Sequence, residues 1–120
     1  MAGAGAAEGF PRLARIRKRA DFLRVQQRGK KLSSGPLVAL VLPSVGPTAR
    51  LGLTVSSKVG NAVVRSRVKR RLREVFRRQR QACPAVDVVV IARPSAAAAS
   101  AAELTAAFRS LLSTLQRSSR

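Results

Sequence analysis

Apolar positions recur along this chain with two different periods, and the alternation between them divides it into elements. From Arg12 to Gln27, the residues Leu13, Ile16, Ala20, Phe22, Leu23 and Gln26 return at helical spacing with basic side chains between them, which predicts a first helix ended by Gly29. Lys30 to Ser34 suits a short edge strand, and Gly35-Pro36 is a turn signal. Leu37 to Leu42 is a continuous apolar run of strand length stopped by Pro43, and Ser44 to Thr48 reads as a loop. Leu51, Leu53 and Val55 alternate within Arg50 to Ser56, which predicts a strand paired with the preceding one. Asn61 is a good N-cap for a helix running to about Arg80. Val86 to Ala92 is the most buried-looking strand, closed by Arg93-Pro94. A last amphipathic helix spans Ala101 to about Gln116, with Leu104, Phe108, Leu111, Leu112 and Leu115 as its apolar stripe. The order is α-β-β-β-α-β-α, an α+β sandwich of helices on a sheet.

Composition then narrows what such a fold could do. The 120 residues are 46% hydrophobic, enough for one domain with a modest core, but with only four Phe and no Tyr or Trp that core must be mostly aliphatic. Twenty-four Lys and Arg face five Asp and Glu, a formal net charge of +19. Self-repulsion on that scale gains nothing for an isolated domain; it makes sense when a polyanion neutralises the surface and releases counterions. Nucleic acid is the first candidate and an anionic membrane surface the second. Cys83 is the sole cysteine, so an intramolecular disulfide and a Cys-based zinc site are excluded, and it reads as a small apolar filler near a helix end. Met1 to Glu8 is Ala/Gly-rich without the charged start and apolar stretch of a signal peptide. No apolar run reaches membrane-spanning length, so a cytoplasmic location is expected.

The segment Asn61 to Arg80 is the informative one. Successive residues about 100° apart place Val64, Val68, Leu72, Val75 and Phe76 within an arc of roughly 120°. Arg67, Lys69, Arg70, Arg71, Arg73, Arg77, Arg78 and Arg80 take most of the remaining circumference, with Glu74 as the one acid. An ordinary solvated helix face mixes signs, because like charges four residues apart destabilise it. Here Arg67–Arg71, Lys69–Arg73 and Arg73–Arg77 all break that rule. Arg65 and Arg67 also stand near the helix start, where the macrodipole favours acids. So many local violations point to a polyanion-binding face, to which the backbone N–H groups of Gly60 to Val63 would add a phosphate site.

Catalysis by the chain alone is not expected. It has no histidine, and its carboxylates, Glu8, Asp21, Glu74, Asp87 and Glu103, fall singly on different elements rather than converging as a two-metal site requires. Asp21 is expected to pair with a neighbouring basic residue. Any chemistry this protein serves must come from a partner.

The stretch Ser57-Lys58-Val59-Gly60-Asn61-Ala62-Val63-Val64-Arg65-Ser66-Arg67-Val68-Lys69-Arg70-Arg71-Leu72-Arg73-Glu74 resembles the signature of the bacterial ribonuclease P protein family, which couples a Lys-x-Gly-Asn-Ala segment to an Arg-Asn-Arg helix. The likeness extends to Arg17-Lys18-Arg19-Ala20-Asp21-Phe22, to the central strands and to Val89-Val90-Ile91-Ala92-Arg93-Pro94, and covers most of residues 12–116. It implies a two-layer sandwich of the ribosomal protein S5 domain 2-like kind with a left-handed βαβ crossover, an exception to the usual hand. It also implies a protein subunit that assists a catalytic RNA in removing the 5′ leader of precursor tRNA, with Mg2+ held mainly by the RNA. Carried onto this chain, the RNA-subunit contacts would be Arg65, Arg67, Lys69, Arg70 and Arg73. The leader cleft would involve Phe22, Gln26, Val38, Leu40, Lys58 and Asn61. Ser66 stands where the motif has asparagine, and Gln26 and Leu40 occupy cleft positions often aromatic in the family. Leader binding here would then rest more on charge and on Phe22, which could equally be a core residue. Residues 1–11 would be a disordered extension, 12–117 a single RNA-binding domain, and 118–120 a frayed end. A structural RNA binder without a part in any reaction is the main alternative. A basic membrane-surface or DNA-binding helix is a third, though little apolar area would remain exposed on the basic helix for membrane insertion.

Overall fold

Strand β4 (Val86–Ala92) fixes the layout because it is apolar on both faces: Val88 and Val90 join one cluster of the core, Val89 and Ile91 the other. A strand of that kind belongs in the middle of a sheet. The structure is a computed structural model that describes residues 15–44, 46, 48–80 and 83–118. In it, strands β1 (Lys30–Ser34), β2 (Leu37–Pro43) and β3 (Arg50–Thr54) join β4 in the order β1-β2-β4-β3. β2 runs antiparallel to β4, with Leu40 opposite Val89, and β3 runs parallel to it, with Gly52 opposite Val89. The alternation in Arg50 to Ser56 predicts a strand beside Leu37–Leu42; instead β4 lies between the two. β4 needs neighbours on both edges, whereas β3, with Arg50, Gly52 and Thr54 on one face, tolerates the edge.

A parallel pair needs a crossover, and helix α2 (Ala62–Gln79) supplies it between β3 and β4. Its N-cap is Asn61, whose Oδ1 accepts the Val64 N–H at 3.0 Å. Val68, Leu72, Val75 and Phe76 are its buried residues, and Val64, the fifth residue of the expected stripe, is half-buried against the same core. A single 3-10 turn (Pro94–Ala97) follows β4 and leads to helix α3 (Ala101–Ser118). There Ser100 and Glu103 form a reciprocal cap: the Glu103 N–H donates to Ser100 Oγ at 3.1 Å, and the Ser100 N–H donates to Glu103 Oε1 at 2.9 Å. α2 and α3 pack together on one face of the sheet, where the Phe76 and Phe108 rings stack with centroids 6.4 Å apart. This is the two-layer α+β sandwich, with the large core between helices and sheet.

The first helix, α1 (Arg19–Arg28), lies on the opposite face. It is shorter than the apolar spacing predicts. Residues 15–18 are extended, and the Ile16 N–H donates to Leu51 O at 3.0 Å, a bridge to the edge of β3. Ile16 thus reaches the apolar cluster from extended backbone, so its spacing from Ala20 carries no helical meaning. Residues 12–14 and the expected extension over 1–11 lie outside the described residues, as do 119–120. Gly29 lets α1 turn sharply into β1, since a Cβ there would clash with Val25 O and stand 2.9 Å from Val41 N.

Candidate nucleic-acid interface

The exposed side of α2 is built by its buried side. With Val68, Leu72, Val75 and Phe76 anchored, Arg67 and Arg70 are exposed, while Arg65, Lys69 and Arg73 are half-buried around the flanks. Among the described residues, none of these five cations has a carboxylate within ion-pair distance. Glu74, the helix's one acid, turns instead to Arg77 at 3.6 Å and Arg78 at 3.8 Å. Arg67 donates from Nη2 to Ala97 O at 2.9 Å, which holds its stem toward the 3-10 turn. Arg65 Nε is shielded from solvent and meets no acceptor among the described residues. Between α2 and the start of α3 opens a groove of about 860 Å3, lined by Arg67, Arg70, Arg71 and Glu74 together with Ala62, Ala99 and Leu104. Val63, 78% exposed, stands at this groove as an uncovered apolar side chain.

The second set of residues gathers on the outer face of the sheet. Phe22 and Leu40 are half-buried members of the small cluster around Ile16, Val25 and Val89. Val38 shares that face two residues before Leu40 and is 9% exposed, so it lies in the floor. Gln26, one helical turn beyond Phe22, is half-buried. Lys58 and Asn61 are exposed in the connection from β3 to α2, beyond the end of the sheet marked by the row Val38, Ile91 and Thr54. Phe22 is neither wholly core nor wholly surface. Its ring rests on Gly52, where a Cβ would come within 2.7 Å of Phe22 Cε2, and its remaining edge faces a groove.

What holds α1 over this face escaped the sequence reading. Asp87 is fully buried, and it accepts from Arg50 Nε at 2.9 Å, from Arg50 Nη2 at 2.7 Å and from Arg24 Nη2 at 3.1 Å. Asp21, expected to pair with a basic residue, meets Arg50 Nη1 at 3.6 Å. The hydrogen bond to Asp87 is the largest influence raising the Arg50 pKa above its ordinary value, against an opposing cost of desolvation. The signal was present: an acid inside an otherwise apolar strand must be buried with a cationic partner.

All four carboxylates among the described residues are therefore occupied: Asp21 and Asp87 by arginines, Glu74 by Arg77 and Arg78, and Glu103 by the α3 cap. A hard cation such as Mg2+ wants oxygen ligands in a negative setting, and this donor set does not fit one. The Cys83 thiol is spent as well, donating to Gln79 O at 3.3 Å with its pKa pushed up by burial.

Among the described residues, the α2 face presents cations that no carboxylate neutralises, an arrangement suited to binding a polyanion. Comparison with known proteins gives that surface its context. A profile of the family described as Ribonuclease P matches residues 10–116. The chain belongs to the ribonuclease P protein family. It is 39% identical over 87 residues to the ribonuclease P protein component of Citrifermentans bemidjiense, covering 72% of this chain and 75% of that one. The RNase P protein of Staphylococcus aureus superposes with a TM-score of 0.80 at 32% identity, over 84% of this chain and 94% of the other. That of Thermotoga maritima, solved in complex with 1-(4-fluorophenyl)-2-thiourea, gives 0.76 at 33% identity, over 82% and 96%. The function is accordingly that of a ribonuclease P protein component: tRNA processing within a ribonucleoprotein endonuclease whose RNA is the catalyst.

Proposed function

We propose that this ribonuclease P protein binds the catalytic RNA through Arg65, Arg67, Lys69, Arg70 and Arg73. In the same complex it holds the single-stranded 5′ leader of precursor tRNA along Phe22, Gln26, Val38, Leu40, Lys58 and Asn61. The observation that carries this reading is the row of five α2 cations lacking any acidic partner among the described residues, on a helix fixed by a fully apolar stripe. Guanidinium groups so placed meet phosphates bidentately and release counterions on binding. Two RNAs brought together repel each other, and a +19 protein lying between them lowers that repulsion. The Mg2+ requirement of the reaction then falls on the RNA subunit, and the protein contributes charge and placement. Leader recognition is weak in stacking, with Phe22 as the one aromatic of the set, and leans on Lys58 and the surrounding basic surface. The protein works in the cytoplasm in this reading, in keeping with the lack, among the described residues, of any helix long and apolar enough to cross a membrane.

Reconstitution tests the assignment. Added to a ribonuclease P RNA at low Mg2+, the protein should restore cleavage of precursor tRNA to a 5′-phosphate mature end. Binding to the RNA with no gain in cleavage would favour a purely structural RNA binder instead.

A further inference from the structure

The seam between α2 and α3 is open along its outer side. Small residues at its wide end, Ala62, Ser66, Ala99 and Ala101, leave room for the groove of about 860 Å3. At Arg71 and Glu74 that groove runs on into a narrower recess of about 40 Å3, lined also by Arg78, Thr105 and Arg109. Together they make one furrow from Ala62 to Gln79, about 25 Å long at the helical rise of 1.5 Å per residue. Arg71 is half-buried and Arg109 exposed, and among the described residues neither has a hydrogen bond or an ion pair. Arg71 stands four residues from Arg67, a repulsive spacing, and shares the recess with Arg109. Glu74, the one acid in the furrow, is covered by Arg77 at 3.6 Å and Arg78 at 3.8 Å. The balance is therefore cationic from end to end: Arg67, Arg70, Arg71, Arg78 and Arg109 against a single paired carboxylate. Like charges gathered along a seam repel in the free protein, and a polyanion laid between them turns that repulsion into attraction.

We propose that this furrow seats one sugar–phosphate strand of the catalytic RNA, with Arg71 and Arg109 each holding a phosphate beyond those met by Arg67 and Arg70. The inference rests on the reading that α2 binds that RNA. What it adds is α3, which becomes the second wall of the interface. An extended polyanion matches a trough of that length with cations on both walls, whereas a small anion would fill only one end of it. A lipid surface would reach protruding side chains only, and Arg71 is half-buried inside the trough. The furrow lies on the helical layer, across the sheet from α1, so its occupant is distinct from a leader held beside Phe22.

Proteins carrying Arg71→Ala or Arg109→Ala are titrated with ribonuclease P RNA at several salt concentrations. Each should bind roughly three- to tenfold more weakly and show a salt dependence flatter by about one contact, with the lysine variants retaining most of the affinity. Holoenzyme rebuilt from either variant should prefer precursor over mature tRNA as strongly as before. In a hydroxyl-radical footprint of the RNA, the protections lost with Arg109→Ala should adjoin, along one strand, those lost with Arg67→Ala plus Arg70→Ala. Arg117, exposed on α3 outside the furrow, is the control for simple loss of charge. Unchanged affinity and slope, a loss no greater than that of Arg117→Ala, or lost protections on separate strands overturns the proposal. Thermal melting verifies folding, and Arg71→Gln, which keeps most of the stem, repeats the test should Arg71→Ala melt early. If Arg67→Ala with Arg70→Ala leaves RNA binding intact, the α2 reading fails, whereas silence of the Arg71 and Arg109 variants alone removes only the furrow.

Discussion

On the inner face of the sheet, α2 and α3 bury a continuous apolar core from Leu37 through Phe76 and Phe108 to Leu115. On the outer face, α1 is held by Ile16, Val25, Val89 and a four-membered ion network. The inner contacts are non-directional and indifferent to salt. The outer ones are directional, and they centre on the fully buried Asp87. The two candidate RNA surfaces inherit this difference. The α2 cations stand on a helix that apolar packing fixes, whereas Phe22 and Gln26 ride on the helix that charges hold in place. RNA-subunit binding should therefore survive changes that disturb leader recognition.

The largest expected effect breaks the inner face. Phe76→Ala removes a fully buried ring stacked on Phe108 and should cost about 3–5 kcal/mol, read from denaturant unfolding, with both RNA surfaces lost together. Next comes Asp87→Ala, which leaves Arg50 and Arg24 facing each other without their shared acid. Partial solvent access of both arginines limits the loss, and about 3 kcal/mol is expected. In reconstituted holoenzyme under folding conditions, this variant should discriminate less between precursor and mature tRNA while its affinity for the RNA subunit changes little. Equal losses in both would show that the two surfaces are not held separately. Asp21→Ala, which breaks only a 3.6 Å contact between partly exposed groups, should cost under about 1 kcal/mol.

The smallest effect is a pH dependence at the start of α3. Hydrogen bonds from the Ser100 backbone and side chain hold the Glu103 pKa below the ordinary carboxylate value. A depressed folded-state pKa means that the cap's contribution is present above the unfolded value and is lost as the pH falls through the folded one. Helix content followed by circular dichroism should show a small loss in that acidic window, and Glu103→Gln should remove this dependence. A variant that titrates like the original protein would rule out the cap as its source.

The sequence made the inner face far more legible than the outer one. The α2 stripe of Val68, Leu72, Val75 and Phe76, the Asn61 cap and the doubly apolar β4 all follow from local spacing, and local spacing decides them. Strand neighbours are non-local. Nothing in Arg50 to Ser56 says that a strand from beyond α2 will come between it and β2. Arg15 to Lys18 looked helical because Ile16 and Ala20 are four apart, yet the hydrogen bond from Ile16 to Leu51 keeps the segment extended. Of the candidate site, the α2 cations were readable as residues that violate helix charge rules. The network of Asp87, Arg50, Arg24 and Asp21 joins three elements, and only folding brings it together. Likewise, the meeting of Arg71 with Arg109 across the seam of α2 and α3 is visible only in three dimensions.

The salt dependence of binding to ribonuclease P RNA measures most directly whether the α2 guanidinium groups meet phosphate. If they do, Arg67→Ala with Arg70→Ala lowers the affinity and reduces the slope of log affinity against log salt by roughly two contacts. An affinity and slope equal to those of the unaltered protein would contradict that contact.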